Sequence, residues 1–529
     1  MLENFITFLK SGIGVSYAMW QYPVLFLPVT LLLYQLFPQR FRRYVLLAAS
    51  LLFFAFFSGI LIVFPIAAAL ISYVAGRIME NIAGNKEIKR KERTRRRKRV
   101  LAAGIIILLA TLAVIKYSDF AGLTLVRISH IFHGNFQWNL LDWAVPVGIS
   151  YFTLEAIAYM TDVFRDDIKA EHDFIKLLLF IVFFPKLMEG PISRYNEIAD
   201  DLSSGRATTA DNVANGYQRI LWGLFKKLVI ADHLAPAVDI LFQNNIMDGS
   251  LSVAAAILFT IQEYMDFSGT IDIVIGSGIT FGVHLTENFR QPFFAKNASD
   301  FWHRWHITLG TFFRDYIFYP VTLAKPVMKF TKKVRDRFGK FAGTIAAPML
   351  ALFLVWLSNG LWHGPRWTYI FYGMYYFVLI ELENIFEEPF LGVLKKLKLT
   401  EESITVRVFR FIKLFIIVII GEMFFRADNI AIGVKMFMQI FTNFHLNVLV
   451  ENAGFLGLDF WDYWTVAAGM LLVIAVSVLK ERGYPIRTKL MAYPIAARFA
   501  FWYVCILAVV IFGAYGNGYD AAGMIYAKF

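Results

Sequence analysis

The sequence predicts an all-α, multi-pass membrane protein, and three observations carry that reading. Of its 529 residues, 58% are hydrophobic and 53 are Phe, where a soluble chain of this length is nearer half apolar. Charge-free runs recur that are longer than a soluble core helix needs. The 52 basic residues outnumber the 40 acidic ones, for a net charge of +12. That excess is gathered in loops, which points to membrane topology and anionic lipid rather than to nucleic acid. The chain reads as a single domain over residues 1–529, with about 11–13 transmembrane or re-entrant helices, several short or tilted. Its one cysteine, Cys505, lies in an apolar run and has no intrachain partner; a small core residue is the reading that fits. No cleavable signal peptide is evident, so insertion is expected to rely on the first spanning helix.

Met1 to Lys10 carries Leu2, Phe5, Ile6 and Leu9 at helical spacing, as an interfacial helix would. Tyr22 to Phe37 is charge-free and predicts a span. Tyr44 to Gly76 also lacks charge; as one helix it would measure about 50 Å against a hydrocarbon core of about 30 Å. Ser58-Gly59 and Pro65 offer a break, and a hairpin there would return both basic ends to one side. Residues 86–99 hold ten Lys or Arg in fourteen. The positive-inside rule makes this run, and the second basic run at 321–341, cytoplasmic loops, with the amino terminus outside. Further spans are predicted at Val100–Ile115, Trp143–Met160, Gly343–Gly364, Thr368–Ile380, Phe409–Phe425, Trp464–Leu479 and Phe499–Gly513, and in Leu251–Gly282 the glycines at 269, 276, 278 and 282 let backbones approach closely or let the helix break. Gly216 to Asp232 is amphipathic, and its Lys226 and Lys227 are expected to snorkel to a headgroup surface. There is no internal repeat.

The stretch with chemistry in it runs from Asn288 to Gly364. It contains Asp300-Phe-Trp-His-Arg-Trp-His306, then Phe313-Arg314-Asp315-Tyr316, and ends in an apolar helix finishing Trp356-Leu-Ser-Asn-Gly-Leu-Trp-His363-Gly364. Two histidines beside tryptophans at or near membrane depth read as a functional site, because ionisable groups are expensive there. His303 and His306 are three apart, but no His-Glu-x-x-His pattern or nearby cysteine accompanies them, so no metal is expected. No Gly-x-Ser-x-Gly elbow, Walker loop or dinucleotide fingerprint stands in a suitable setting.

In the order and spacing of these motifs the chain resembles the membrane-bound O-acyltransferase family. Within it the likeness is to the bacterial branch of alginate O-acetyltransferase and teichoic-acid D-alanylation membrane subunits. Pro146-Val-Gly-Ile-Ser-Tyr-Phe-Thr-Leu-Glu155, Gly190-Pro-Ile-Ser-Arg194-Tyr195, Gly223-Leu-Phe-Lys-Lys and Asp266-Phe-Ser-Gly269 extend the resemblance. Two departures stand out. Glu155 falls where glutamine is expected, and Thr270 replaces a tyrosine.

The resemblance implies a tunnel through the bilayer ending near His363 and His306. It also implies a cytoplasmic acyl thioester donor, either acetyl-CoA or the phosphopantetheine arm of an acyl carrier. The final acceptor would be a surface polysaccharide, reached through an extracytoplasmic SGNH-type partner, in a bacterial plasma membrane. Acyl transfer to a hydroxyl needs a base, and an imidazole in an apolar site stays neutral and able to serve. His363 is the candidate base, with Asn359 one turn back to orient it and Trp362 beside it. His306 is carried over as the second histidine, on an expected amphipathic helix from Asp300 to Tyr319. Trp302 and Trp305 lie on its aromatic face, and His306, Gly310 and Arg314 recur on another. Arg314, Asp315, Asp266 and Glu155 read as supporting or tunnel residues, Glu155 as a proton relay or a hydrogen-bonded structural acid. Lys226 and Lys227 are candidates for the donor phosphate. Alternatives stay open: D-alanyl transfer, a lipid or polysaccharide transporter that would use the intramembrane acids Glu155, Glu263 and Asp266, or a scaffold without chemistry.

Overall fold

The computed structural model describes residues 16–243 and 248–515. The expected interfacial helix at Met1–Lys10 and the amino terminus lie outside them. Among the described residues the architecture is helical throughout, and the one ladder contact is an isolated antiparallel bridge between Phe289 and Trp305. Among the described residues, five helical stretches are long and apolar enough to cross a membrane: Gln39–Gly84, Arg90–Ile131, Lys340–His363, Phe460–Glu481 and Ile495–Phe512. The described residues divide into two compact units, one built from residues 16–220 with Ile273–Thr286, the other from residues 221–243 and 248–272 with residues 287–515.

The first unit begins with α1 (Leu27–Leu36), α2 (Gln39–Ser58) and α3 (Val63–Gly84). The break at Ser58-Gly59 falls where the sequence placed it, with Gly59 at a φ of 52°. Instead of packing along each other, α2 and α3 both lie against a short helix at Phe174–Val182. The basic run at 86–99 is no loop from Arg90 onward, because α4 (Arg90–Ile131) starts there and continues past the expected span. Lys, Arg and Glu are good helix formers, and Glu92 braces Arg96 one turn on at 3.0 Å. α5 (Ile149–Arg165) is nearly all buried. It starts after Gly148 and packs with α3 and α4. α6 (Phe174–Val182) and α7 (Tyr195–Ser204) complete the core.

In the second unit the segment Phe225–Ala231 is a widened π-helical turn leading into α8 (Asp232–Gln243). α9 (Gly249–Thr280) belongs to this unit as far as Asp272. The expected helix from Asp300 to Tyr319 is broken. α10 (Ala298–Arg304) stops at an extended Trp305, and α11 (Ile307–Phe313) restarts after His306. The basic run at 321–341 is also helical, as the amphipathic α12 (Lys325–Phe338), which folds back on α13 (Lys340–His363). α13, α14 (Trp367–Lys396) and α15 (Ile404–Arg426) then pack in succession. α16 (Phe460–Glu481) lies on the π turn, and α17 (Ile495–Phe512) holds a half-buried Cys505.

Candidate active site

The two histidines of the second unit come together on one tryptophan. α13 ends at His363 because Gly364 follows with a φ of 154°, a backbone that other residues rarely adopt. His363 is 2% exposed and His306 is equally buried. The His306 ring meets Trp362 edge to face at 5.4 Å, and Trp362 meets His363 at 5.2 Å. Phe425 of α15 closes on His363 at 5.2 Å, with Tyr369 and Tyr372 of α14 at 6.3 and 6.1 Å. This cluster exists because α13 and α14 approach closely at Gly360. A Cβ there would stand 2.5 Å from the Tyr369 carbonyl oxygen and 3.0 Å from the Ile370 Cα.

His306 is placed by backbone rather than by helical periodicity. Its φ of 46° and ψ of 50° are left-handed, a conformation histidine tolerates better than most residues. The segment before it pairs with the chain at 288–290: Arg290 donates to the Arg304 carbonyl and Ile307 to that of Asn288. The Asn288 side chain then fixes the ring. Its Oδ1 accepts from the Thr308 amide at 3.0 Å and hydroxyl at 2.9 Å, and lies 3.3 Å from His306 Nδ1. An amide oxygen only accepts, so this contact puts the proton on Nδ1 and leaves Nε2 with its lone pair. Phe267 covers the ring at 4.9 Å.

The other candidates divide. Asn359 is buried one turn before His363, and its Oδ1 meets no donor among the described residues, so it does not receive a proton from His363 in this state. Trp302 is half-buried and packs on Trp356 and Tyr376 at 4.9 Å each. The indole N–H groups of Trp302 and Trp356 likewise meet no acceptor among the described residues. Trp305 is buried in a core with Phe301, Leu414 and Val418, against which Trp302 also packs. Arg314 and Asp315 pair with each other at 2.8 Å on a partly exposed surface. His303 is exposed and turned to the Ser299 carbonyl at 2.7 Å, apart from the buried His306.

Lys226 and Lys227 do not snorkel. Both are buried in ion pairs: Lys226 with Asp272 at 2.6 Å and Ser268 at 2.9 Å, Lys227 with Asp232 at 2.5 Å and Asp266 at 3.0 Å. The π turn reaches α9 at Gly269, where a Cβ would lie 3.2 Å from the Lys227 amide nitrogen. Asp266 is thus a partner of Lys227. Glu155, in the first unit, is ion-paired with buried Lys186 and accepts from the Ser193 amide at 3.1 Å. That bonding is what its structural reading requires.

Sequence reasoning gave no role to Asn288, Phe267, Tyr372, Phe425 or Glu422, and assigned Glu263 only to the transporter alternative. Glu422 carried a usable signal, as the lone acid in the apolar run Ile416–Phe425. Asn288, Phe267, Tyr372 and Phe425 carried none.

Comparison with known proteins identifies the relatives of this chain. Residues 97–335 match the model of MBOAT, the membrane-bound O-acyltransferase family. "Probable alginate O-acetylase" of Pseudomonas aeruginosa is 32% identical over 79% of this chain and 73% of its own length. A peptidoglycan O-acetyltransferase of Helicobacter pylori is 28% identical over 75% of this chain and 73% of its own. A teichoic acid D-alanyltransferase of Bacillus subtilis is 30% identical over 47% and 61%.

Proposed function

Because the chain belongs to the membrane-bound O-acyltransferase family and is an acyltransferase, we propose that it O-acetylates a cell-surface polysaccharide, with His363 as the base. The observation that carries this reading is the burial of two imidazoles on one tryptophan, His306–Trp362–His363, in an otherwise aromatic cluster. An imidazole there is desolvated and rigid, as a base must be to meet its proton in one geometry.

In this account a cytoplasmic acetyl thioester, from acetyl-CoA or an acyl carrier, reaches the site through a tunnel. The acceptor is a hydroxyl group, supplied by an SGNH-type partner on the outer side that passes the acetyl group to the polymer. His363 takes the hydroxyl proton as the oxygen attacks the thioester carbonyl. The tetrahedral intermediate then collapses, expelling the thiolate, which takes the proton back from the imidazolium. His306, held in one tautomer by Asn288, supports the site with Nε2 as an acceptor. Asn359 Oδ1 is available to receive the acceptor hydroxyl. The buried indole N–H groups of Trp302 and Trp356 are the donors at hand for the developing oxyanion.

The test is the O-acetyl content of surface polysaccharide in cells whose only copy carries His363→Ala, at normal membrane abundance. Loss of the ester supports the reading, and retention refutes it. The D-alanyl alternative draws on the teichoic acid D-alanyltransferase likeness. Mild base releases acetate under the first reading and D-alanine under the second.

A further inference from the structure

Glu263 and Glu422 are buried in the same unit as His363, at 1% exposure each, and the chemistry above gives them no part. The Tyr372 hydroxyl donates to Glu422 Oε1 at 2.7 Å, and the Glu263 side chain stands within hydrogen-bonding reach of Glu422. A carboxylate oxygen has no proton to give, so two carboxyl groups in this contact hold at least one proton between them. Buried carboxyl groups are costly and call for a reason.

The pair is tied to His363 from two helices. On α14, the Tyr372 ring stands edge-on to the imidazole at 6.1 Å and 89°, while its hydroxyl is anchored on Glu422. On α15, Glu422 precedes by one turn Phe425, whose ring meets His363 at 5.2 Å and 90°. The other ionisable groups facing this region are Tyr369, Tyr375 and Tyr376 of α14. Arg366 and Arg426 stand at the Tyr369 end, and His306 lies across Trp362.

We infer that Glu263, Glu422 and Tyr372 form a positioning unit for His363, in which the two carboxyl groups share one proton and carry one negative charge, holding the imidazole in place and favouring the imidazolium that forms when it takes the acceptor's proton. The inference rests on His363 being the base. No proton passes to the carboxyl pair. The acceptor's proton moves to His363 and later to the thiolate, and the pair keeps its own.

The amide series tests it. In Glu263→Gln or Glu422→Gln alone, an amide N–H replaces the shared proton and one carboxylate remains, so acetyl-CoA turnover should stay within about threefold of wild type. The double variant Glu263→Gln/Glu422→Gln keeps the shape and loses the charge. Its imidazolium is less favoured, so the acid limb of its pH–rate profile should move down by about one pH unit, and its rate at neutral pH should fall roughly tenfold. Thiol release from acetyl-CoA is measured in membranes of cells carrying the full chain, at matched abundance. A double variant with the wild-type rate and acid limb overturns the inference. If that variant does not accumulate, Tyr372→Phe decides, since it keeps the ring and removes the anchor. A reduced rate supports the positioning unit, and a wild-type rate overturns it. His363→Ala runs alongside: activity there would sink the base assignment itself, whereas an inactive His363→Ala with an unaffected double variant sinks only this inference.

Discussion

Gly360→Ala adds one carbon at the point where the site is assembled. That carbon would stand 2.5 Å from the Tyr369 carbonyl oxygen and 3.0 Å from the Ile370 Cα. Both are backbone atoms of α14, which cannot swing aside as a long side chain would. Ordinary contact begins near 3.4 Å, so the two helices must part locally by roughly 1 Å. His363 lies less than one turn further along α13, against Tyr369 and Tyr372 of the helix being pushed away. Overpacking of this kind costs about 1–3 kcal/mol of stability, and a misplacement of about 1 Å costs on the order of a hundredfold in rate. The expected result is a protein that still accumulates but turns over acetyl-CoA on the order of a hundredfold more slowly. Thiol release and membrane abundance measured together separate the two effects. Wild-type turnover in Gly360→Ala would refute the claim that this helix crossing sets the geometry of His363.

Other outcomes follow from the same contacts. Lys227→Met leaves Asp232 and Asp266 buried without their shared cation, which should destabilise the protein by about 3–5 kcal/mol; thermal unfolding in detergent would show it as lost stability and abundance. His306→Gly keeps the left-handed backbone and removes the imidazole, so turnover should fall while abundance stays near normal. His306→Val adds strain on top, of about 1–2 kcal/mol, and its melting temperature should lie below that of His306→Gly. Arg314→Ala breaks only a partly exposed ion pair and should change stability by less than about 1 kcal/mol, with turnover close to wild type.

Much of the site was legible because its chemistry is expensive where it stands. Histidine in apolar sequence, ending a helix at a glycine, marked His363 without any tertiary knowledge. The break between Trp305 and His306 was not legible. Aromatic spacing over 300–319 fits one helix, and what defeats that helix is the pairing of residues 288–290 with 304–307, a contact that no local pattern announces. The lysines failed for a related reason. Lys226 and Lys227 beside an apolar run look like surface anchors until Asp232, Asp266 and Asp272 are seen to surround them. The basic runs read as loops because charge was weighed above helix propensity, and α4 and α12 show the propensity prevailing. The aromatic lining from α14 and α15 came from helices whose sequence reads as plain spans, and only Glu422 betrayed that one face of α15 turns inward.

The most direct test of the account is single-turnover thiol release from acetyl-CoA, comparing wild type with His363→Gln in matched membranes. The glutamine fills similar space and can hydrogen-bond but cannot take up a proton at working pH. Release should fall to background while the protein remains folded and present. Release at the wild-type rate would mean that the reaction proceeds without a base at this position.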